Sequence, residues 1–369
     1  MEHFKAFRAK IGVYTFNNAK DNYGQVLQYL ATQEYLNARG HDTCLIEPVY
    51  NIAPFLKRVY FKLCSTLFPK PRRPRTLYDE WAEITERMEH THPRRFQEFK
   101  RKYLQVKNYS LADLSSGALD VVAVGSDQTW SYFSQFSFCD FQKNQARKVA
   151  FAPSMGQHVF SEEIKEKIKP LLEDFDLITC REVSGVNLCK DVNVKGHLVL
   201  DPTFLLNEGE YKRFEQSFEL PKNKYLLVYM LGATVDVSIQ EIHEFANSKG
   251  LDVLYVASQG REDEFAKCYA TIPQWLYAIR HASYVITNSF HGMAFSVIYR
   301  KQFLTLPLNG ETKGQNERIT VLANQLGLEE RIFHNRLDEV MSAINFDQAE
   351  RYITKNKNKM DTLLSNIDL

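Results

Sequence analysis

The sequence predicts an α/β protein with mostly parallel strands, divided into two domains. Short β-branched runs alternate with segments of helical periodicity from end to end. The length, 369 residues, suits two domains of roughly 150 residues each. A second strand–helix series begins after the polar stretch 207–224, so the domain division is expected there. The expected units are 1–207, 208–346 and a polar, helix-compatible tail over 347–369.

The first unit is the clearest. Residues 10–16 read as a buried strand, 17–21 as a polar loop and 22–39 as a helix. In that helix Tyr23, Val26, Leu27 and Leu30 fall at i, i+3, i+4 and i+7 on one apolar stripe. Gly40 is placed to end the helix, and 42–47 resumes as strand. Strands are expected again at 120–124, 148–152, 177–180 and 198–200, with helices at 161–174 and 182–190. In the second series, strands at 225–230, 253–257 and 284–287 alternate with helices near 237–249 and 272–282. The latter repeats the apolar spacing in Ile272, Trp275, Leu276 and Ile279. A helix at 290–299, a strand at 303–306 and helices near 317–326 and 337–344 complete the series.

Residues 50–105 break this alternation. Phe55, Leu56, Val59, Tyr60, Leu63, Leu67 and Phe68 form an apolar stripe at helical spacing, interleaved with Lys57, Arg58 and Lys62 and followed by KPRRPR at 70–75. No acidic residue occurs between Glu47 and Asp79. Such a segment suits either an anionic membrane surface or a helix packed on its own domain beside a solvated basic loop. Both readings stand at this point.

With 46 Lys+Arg against 45 Asp+Glu, the chain has no overall field to attract nucleic acid, and none is expected as a partner. Its 44% hydrophobic and 25% charged composition excludes disordered and low-complexity classes. The longest strongly apolar run, 225–235, is far shorter than the ~20 residues of a membrane span. The first residues mix Glu2, Lys5, Arg8 and Lys10 with apolar ones and do not read as a signal peptide. Cysteines 44, 64, 139, 180, 189 and 268 show no metal-binding spacing, and reduced cytoplasmic thiols are expected. His90-x-His92 lies in a charged helical stretch, and no metal site is expected.

Four segments fall at expected strand ends, where open α/β sheets place their ligands. In 17–24, NNAKDNYG, small polar residues open a helix whose N–H groups suit an anion or sugar hydroxyl. Asn22 serves equally well as a helix cap. In GSDQTW, Asp127 suits a general base, Gln128 a sugar ligand and Trp130 a platform for a pyranose face. The alternative is a capping Asp127 and a core Trp130. In CRE, Arg181 offers a planar fork for carboxylate or phosphate, unless it pairs with Glu182 or Asp174. In NSFHG, Ser289 suits an N-cap and His291 the first helical turn, where anions are attracted and a histidine trades protons.

These segments resemble, in order, the polysaccharide pyruvyl transferase family. The resemblance runs through NYGQVLQYLATQ (22–33), GSDQTW (125–130), KVAFAPSMG (148–156) and CREVSG (180–185). It continues through VLDPTFLL (199–206), VITNSFHGMAFS (285–296) and ERITVLANQLGLEER (317–331). It implies two Rossmann-like domains facing across a cleft, as in GT-B glycosyltransferases, with the acceptor on the N-terminal side and the donor on the C-terminal side. It also implies phosphoenolpyruvate as co-substrate donor, without any further cofactor, and a sugar diol of a glycan or lipid-linked oligosaccharide as acceptor. The products implied are a cyclic ketal and phosphate, formed at the inner face of the cytoplasmic membrane. Better-known members carry Arg-Leu-His where this chain has Ser289-Phe290-His291. The roles implied are Asp127 as base, His291 as acid or phosphate partner and Arg181 as anion clamp. Ser289, Gly292 and Arg318 would complete the donor site, and Asn22, Tyr23, Gln128 and Trp130 the acceptor site. Two other readings accompany this one: a GT-B enzyme using a nucleotide sugar, and a glycan-binding protein without turnover.

Overall fold

The computed structural model describes residues 8–16, 22–49, 76–131, 133–141, 146–156 and 160–369. The expected loop 17–21 and the cationic stripe of 55–75 lie outside these residues. Seven strands form one parallel sheet: β1 (Lys10–Tyr14), β2 (Asp42–Pro48), β3 (Val106–Tyr109), β4 (Val121–Val124), β5 (Arg147–Ala150), β6 (Leu177–Cys180) and β7 (Gly196–Leu198). Four form a second: β8 (Tyr225–Tyr229), β9 (Asp252–Val256), β10 (Tyr284–Thr287) and β11 (Gln302–Thr305). The helices are α1 (Tyr23–Ala38), α2 (Leu77–Thr91), α3 (Phe96–Tyr103), α4 (Leu111–Ser115), α5 (Glu162–Glu173) and α6 (Val183–Asp191). They continue with α7 (Glu208–Lys212), α8 (Ile239–Ser248), α9 (Ile272–His281), α10 (Phe290–Ile298), α11 (Asn316–Leu326) and α12 (Asp347–Ser365).

Strand order is β3-β2-β1-β4-β5-β6-β7 in the first sheet and β11-β10-β8-β9 in the second. Both are doubly wound parallel orders, so the chain is an α/β protein of two Rossmann-like sheets, GT-B-like in class. The central strands β4 (VVAV) and β6 (LITC) are buried at every residue, as strands covered by helices on both faces must be. Helix starts follow local chemistry: Thr76 with Asp79, Ser238 with Glu241 and Thr271 with Gln274 close reciprocal capping boxes on α2, α8 and α9.

Helix α1 is buried on nearly every side because it lies between the two halves rather than on a surface. Its Tyr23 stacks on Trp275 at the head of α9, with ring centroids 4.9 Å apart, and also meets Phe96 at 5.0 Å. At the other end of the molecule α12 returns from the second sheet to the first. Asn356 Oδ1 there accepts the Leu200 N–H at 2.9 Å, and Asp361 accepts from Arg39 at 2.7 Å.

Several elements differ from the sequence expectation, among them the short helices α3, α4 and α7, which were not expected. Strand β7 ends at Leu198, where the expected strand began. Residues 337–344 form only a 3-10 turn over Leu337–Met341. The edge strand β3 was not expected, since its VKNY has no apolar alternation and pairs on one side only, with β2. Among the described residues no helix is long and apolar enough to cross a membrane.

Candidate active site

In each sheet the strand order reverses once, between β1 and β4 in the first and between β8 and β10 in the second. Crevices open beyond the carboxyl ends of strands at such points. The loops after β1 and β4 are tied together there: Thr15 Oγ1 donates to the Ser126 carbonyl at 2.6 Å, and Gln28 Nε2 donates to Thr15 Oγ1 at 3.1 Å. Asp127 follows with φ of 79°, a left-handed conformation that Asp reaches more readily than most residues. Its carbonyl accepts the Ser154 N–H at 2.8 Å, which holds the turn. Its carboxylate accepts the Gln128 N–H at 2.9 Å and the Gln25 Nε2 of α1 at 2.8 Å.

Arg181 leaves β6 into the same crevice and is buried. Nη1 donates to Asp201 Oδ2 at 2.8 Å and to Ser126 Oγ at 3.3 Å, while Nε stands 3.5 Å from Glu182. The guanidinium also lies 5.3 Å from the centre of the Phe290 ring, which comes from the second sheet. Asp201 is itself fully enclosed, accepting from the Thr203 N–H at 3.0 Å, Thr203 Oγ1 at 2.9 Å and Ser126 Oγ at 3.1 Å. Burial works to raise its carboxyl, but the charges of His291 and Arg181 and the Thr203 hydrogen bonds outweigh it and hold the group below the usual range.

From the second sheet, Ser289 caps α10 by accepting the Gly292 N–H at 3.3 Å. His291 Nε2 then lies 3.9 Å from Asp201 Oδ2. The imidazole rests against Gly24 of α1, where any Cβ would collide with the ring. Burial lowers the His291 pKa to about 4; Asp201 and Asp127 oppose that shift, while Arg181 and Arg318 add to it. Arg318, on α11, is half-buried and donates to Gln315 at 2.9 Å, and it is held below its ordinary value by burial and by Arg181. Arg181 Nε and Nη2, Glu182 Oε1 and His291 Nε2 are all buried without a hydrogen-bond partner among the described residues. Buried polar atoms are seldom left so. Arg181 Nε and Glu182 Oε1 face each other as an ion pair at 3.5 Å, so it is Arg181 Nη2 and His291 Nε2 that mark a place built to receive a polar ligand.

The structure thus brings Asp127, Arg181, His291 and Arg318 into one electrostatic cluster across the two halves. It corrects several sequence expectations. Trp130 cannot stack on a sugar: it is 1% exposed, lies flat on Phe138 at 5.5 Å, and donates Nε1–H to the Ser137 carbonyl at 2.8 Å. Tyr23 is equally enclosed, its hydroxyl donating to the Ala270 carbonyl at 2.6 Å, and it joins the halves instead of meeting an acceptor. Asn22 spends its side-chain oxygen on the Gln25 N–H, as a helix cap. The Gly292 N–H is taken by Ser289, and the residue is Gly because a Cβ would run into Thr287. Arg181 keeps the expected pair with Glu182 and adds a shorter one with Asp201, whereas Asp174 pairs instead with Lys148. Gln128 stays half-buried at the end of β4, its side chain against Gly156.

Sequence reasoning did not single out Asp201, Ser126 or Gln25. Asp201 left a signal: Asp-Pro directly after a short strand is a helix-cap pattern, and here Pro202 opens a 3-10 turn. Gln25 and Ser126 left none, because their role comes from contacts across long stretches of chain. Among the described residues no group of three His, Cys, Asp or Glu side chains could hold a metal ion.

Comparison with known proteins places the chain as follows. The UDP-GlcNAc 2-epimerase from Neisseria meningitidis bound to UDP-GlcNAc is similar at 11% identity, over 97% of this chain and 99% of that one, with a TM-score of 0.47. The corresponding Methanocaldococcus jannaschii enzyme is similar at 12% identity, over 97% and 99%, with a TM-score of 0.44. The spinosyn forosaminyltransferase SpnP is similar at 13% identity, over 98% and 95%, with a TM-score of 0.40. No curated protein matches the sequence. The family model described as polysaccharide pyruvyl transferase matches residues 22–309, which include Asp127, Arg181, Asp201 and His291. The chain belongs to the polysaccharide pyruvyl transferase family.

Proposed function

We propose that this transferase moves pyruvate from phosphoenolpyruvate onto two hydroxyls of one sugar, forming a cyclic ketal and releasing phosphate. The observation that carries this reading is the set of unpartnered buried nitrogens on Arg181 and His291, with Arg318 beside them. An anion with separate carboxylate and phosphate groups needs such separated partners. Two guanidiniums face the three carboxylates of Asp127, Glu182 and Asp201 there, so a bound trianion draws a proton onto His291 as further countercharge.

The chemistry then balances. A proton reaches the methylene carbon of the enol phosphate, and its neighbour becomes electrophilic. The first sugar hydroxyl attacks that carbon, losing its proton to Asp127. The C–O bond to phosphate breaks, and the second hydroxyl closes the ketal with its proton leaving on phosphate. Two C–O bonds form and one breaks. His291, which takes a proton from solvent as the anion binds, is the acid; Arg181 and Arg318 hold the anionic groups. Gln128, half-buried after β4, is the acceptor contact in our reading.

The acceptor class is a glycan, carried on lipid in our reading. The stripe 55–75 would bring the enzyme to an anionic leaflet, at about 1 kcal/mol for each basic residue that reaches the surface. A phosphate-release screen tests the donor and acceptor together. Phosphoenolpyruvate is offered with free and lipid-linked galactose, mannose and glucosamine derivatives. Phosphate release that requires one of these diols is expected. Release with none of them, together with transfer from a nucleotide sugar, would overturn the reading.

A further inference from the structure

Beyond the carboxyl ends of the second sheet, where its ligand crevice should open, most of the edge is covered by α2, from the segment that broke the α/β alternation. Trp81 is the centre of that cover. It is 6% exposed and packs with Leu77, Ala233, Val235 and Leu308. Its indole lies against Gly260, after β9, where a Cβ would collide with the ring, and its nitrogen edge reaches Gly232, after β8, where a Cβ would collide first with the Gly260 carbonyl and then with the indole nitrogen. The two loops are tied beneath it by the Gly232 N–H, which donates to the Gln259 carbonyl at 2.9 Å.

The rest of α2 is fastened along the same edge. Thr85 Oγ1 accepts the Gly260 N–H at 3.4 Å, and Arg87 pairs with Glu262 at 2.6 Å. Just beyond the helix, Arg94 Nη1 donates to the Ala257 carbonyl at 3.1 Å. At the start of α2, Tyr78 OH accepts from Gln315 Nε2 at 2.7 Å, the same side chain that receives Arg318. The helix therefore spans from Arg318 to the loop after β9. What stays beside it is the corner at β10, with Ser289 and His291.

A slot beside Gly260 and Gly232 accepts a flat ring, because no Cβ at Gly260 stands in the way. A planar base of a nucleotide has the same shape requirement as the indole that fills it. We infer that Trp81 determines donor class: it occupies the flat slot after β8 and β9, so the site at Arg318 and His291 takes a small anion and excludes a nucleoside diphosphate. The inference rests on the phosphoenolpyruvate reading above and gives it a physical gate.

Calorimetric titration of the parent, Trp81→Ala and Trp81→Phe with phosphoenolpyruvate and with UDP tests this. The parent should bind phosphoenolpyruvate and show no UDP binding. Trp81→Ala should gain at least about tenfold in UDP affinity, or roughly 1.4 kcal/mol, and added indole should reverse the gain by refilling the slot. Should Trp81→Ala fail to fold by circular dichroism, Trp81→Phe carries the test with a smaller gain of the same kind. A parent that binds UDP in competition with phosphoenolpyruvate overturns the inference. So does a folded Trp81 variant no better at binding UDP than the parent. If the parent ignores phosphoenolpyruvate while Trp81→Ala gains UDP, the slot stands and the donor reading falls. If phosphoenolpyruvate is turned over and no variant gains UDP, the donor reading stands and the slot falls.

Discussion

The two sheets present carboxyl edges of opposite character. After β4, β6 and β7 of the first come ions: Asp127, Arg181, Glu182 and Asp201. After β8, β9 and β10 of the second come neutral groups closed on one another. Asn288 accepts the Leu231 N–H at 2.7 Å and returns a hydrogen bond to its carbonyl at 3.3 Å. Thr287 Oγ1 donates to the Tyr229 carbonyl at 2.6 Å, and Ser258 donates to that of Met230. Buried ions persist only when paired, and removing one partner strands the other, whereas neutral groups need only local hydrogen bonds. In our reading each half supplies one guanidinium for an anionic substrate, Arg181 from the first and Arg318 from the second, while the carboxylates stand on the first and the titratable proton carrier, His291, on the second.

The largest expected effect lies at Asp127. Asp127→Asn should lower turnover by about 10²–10⁴ while leaving phosphoenolpyruvate affinity nearly intact, because a base for the acceptor hydroxyl does not hold the phosphate. Steady-state kinetics beside calorimetry reads both quantities. An active Asp127→Asn enzyme would reduce Asp127 to the turn residue its φ also fits.

Arg181 tests whether the ionic edge is structural, catalytic or both. Arg181→Ala leaves Asp201 buried without its charge partner, so about 3–5 kcal/mol of stability should be lost. Donor affinity should fall by about one to two decades, the worth of one charged hydrogen bond. Arg181→Met with Asp201→Leu should recover most of the stability and none of the affinity. Recovery of both would show that the pair serves the fold alone.

Trp130 marks where that edge ends and the core begins. Trp130→Ala should cost about 3–5 kcal/mol by denaturant melting, and a folded fraction should keep its acceptor KM. A raised KM at unchanged stability would return Trp130 to the acceptor site.

The smallest effect is a pH slope that separates the edges. The native His291 pKa, about 4, lies below the ordinary 6.5, so the unfolded chain binds the proton first on acidification. Stability contributed by the neutral ring is therefore present above pH 6.5 and lost as the pH falls toward 4. Asp201 has the same sign in a lower window: its contribution is present above its ordinary value, 3.8, and lost as the pH falls through the depressed native one. His291→Asn should flatten the upper window and also shrink the lower, because the charge of His291 helps to hold Asp201 below its ordinary value. Phosphoenolpyruvate binding to the parent should also take up a proton near neutral pH, seen as a dependence of binding heat on the ionisation enthalpy of the buffer. Binding without proton uptake would mean that the anion does not lie beside His291.

How much was legible in sequence follows from how far each property reaches along the chain. The stripe Tyr23, Val26, Leu27 and Leu30 announced α1, and the runs at 177–180 and 284–287 appeared as strands with those same bounds, because periodicity and β-branching act between near neighbours. The placement of Asp127, Arg181 and His291 near strand ends was legible for the same reason. The sequence also supplied the family, since its segments keep their order whatever their contacts.

Partners are a different matter. That Arg181 takes Asp201 besides its sequence neighbour Glu182, and not Asp174, depends on how β6 and β7 and the turn at Pro202 come together. Whether an aromatic at a strand end is platform or core depends on what covers it, and Phe138 covers Trp130. That α2 lays Trp81 against Gly232 and Gly260, about 150 residues or more away in sequence, was beyond any local pattern. Local propensity is set by neighbours in the chain, but burial, ion pairing and proton affinity are set by neighbours in space, and only the packed tertiary structure decides who those are.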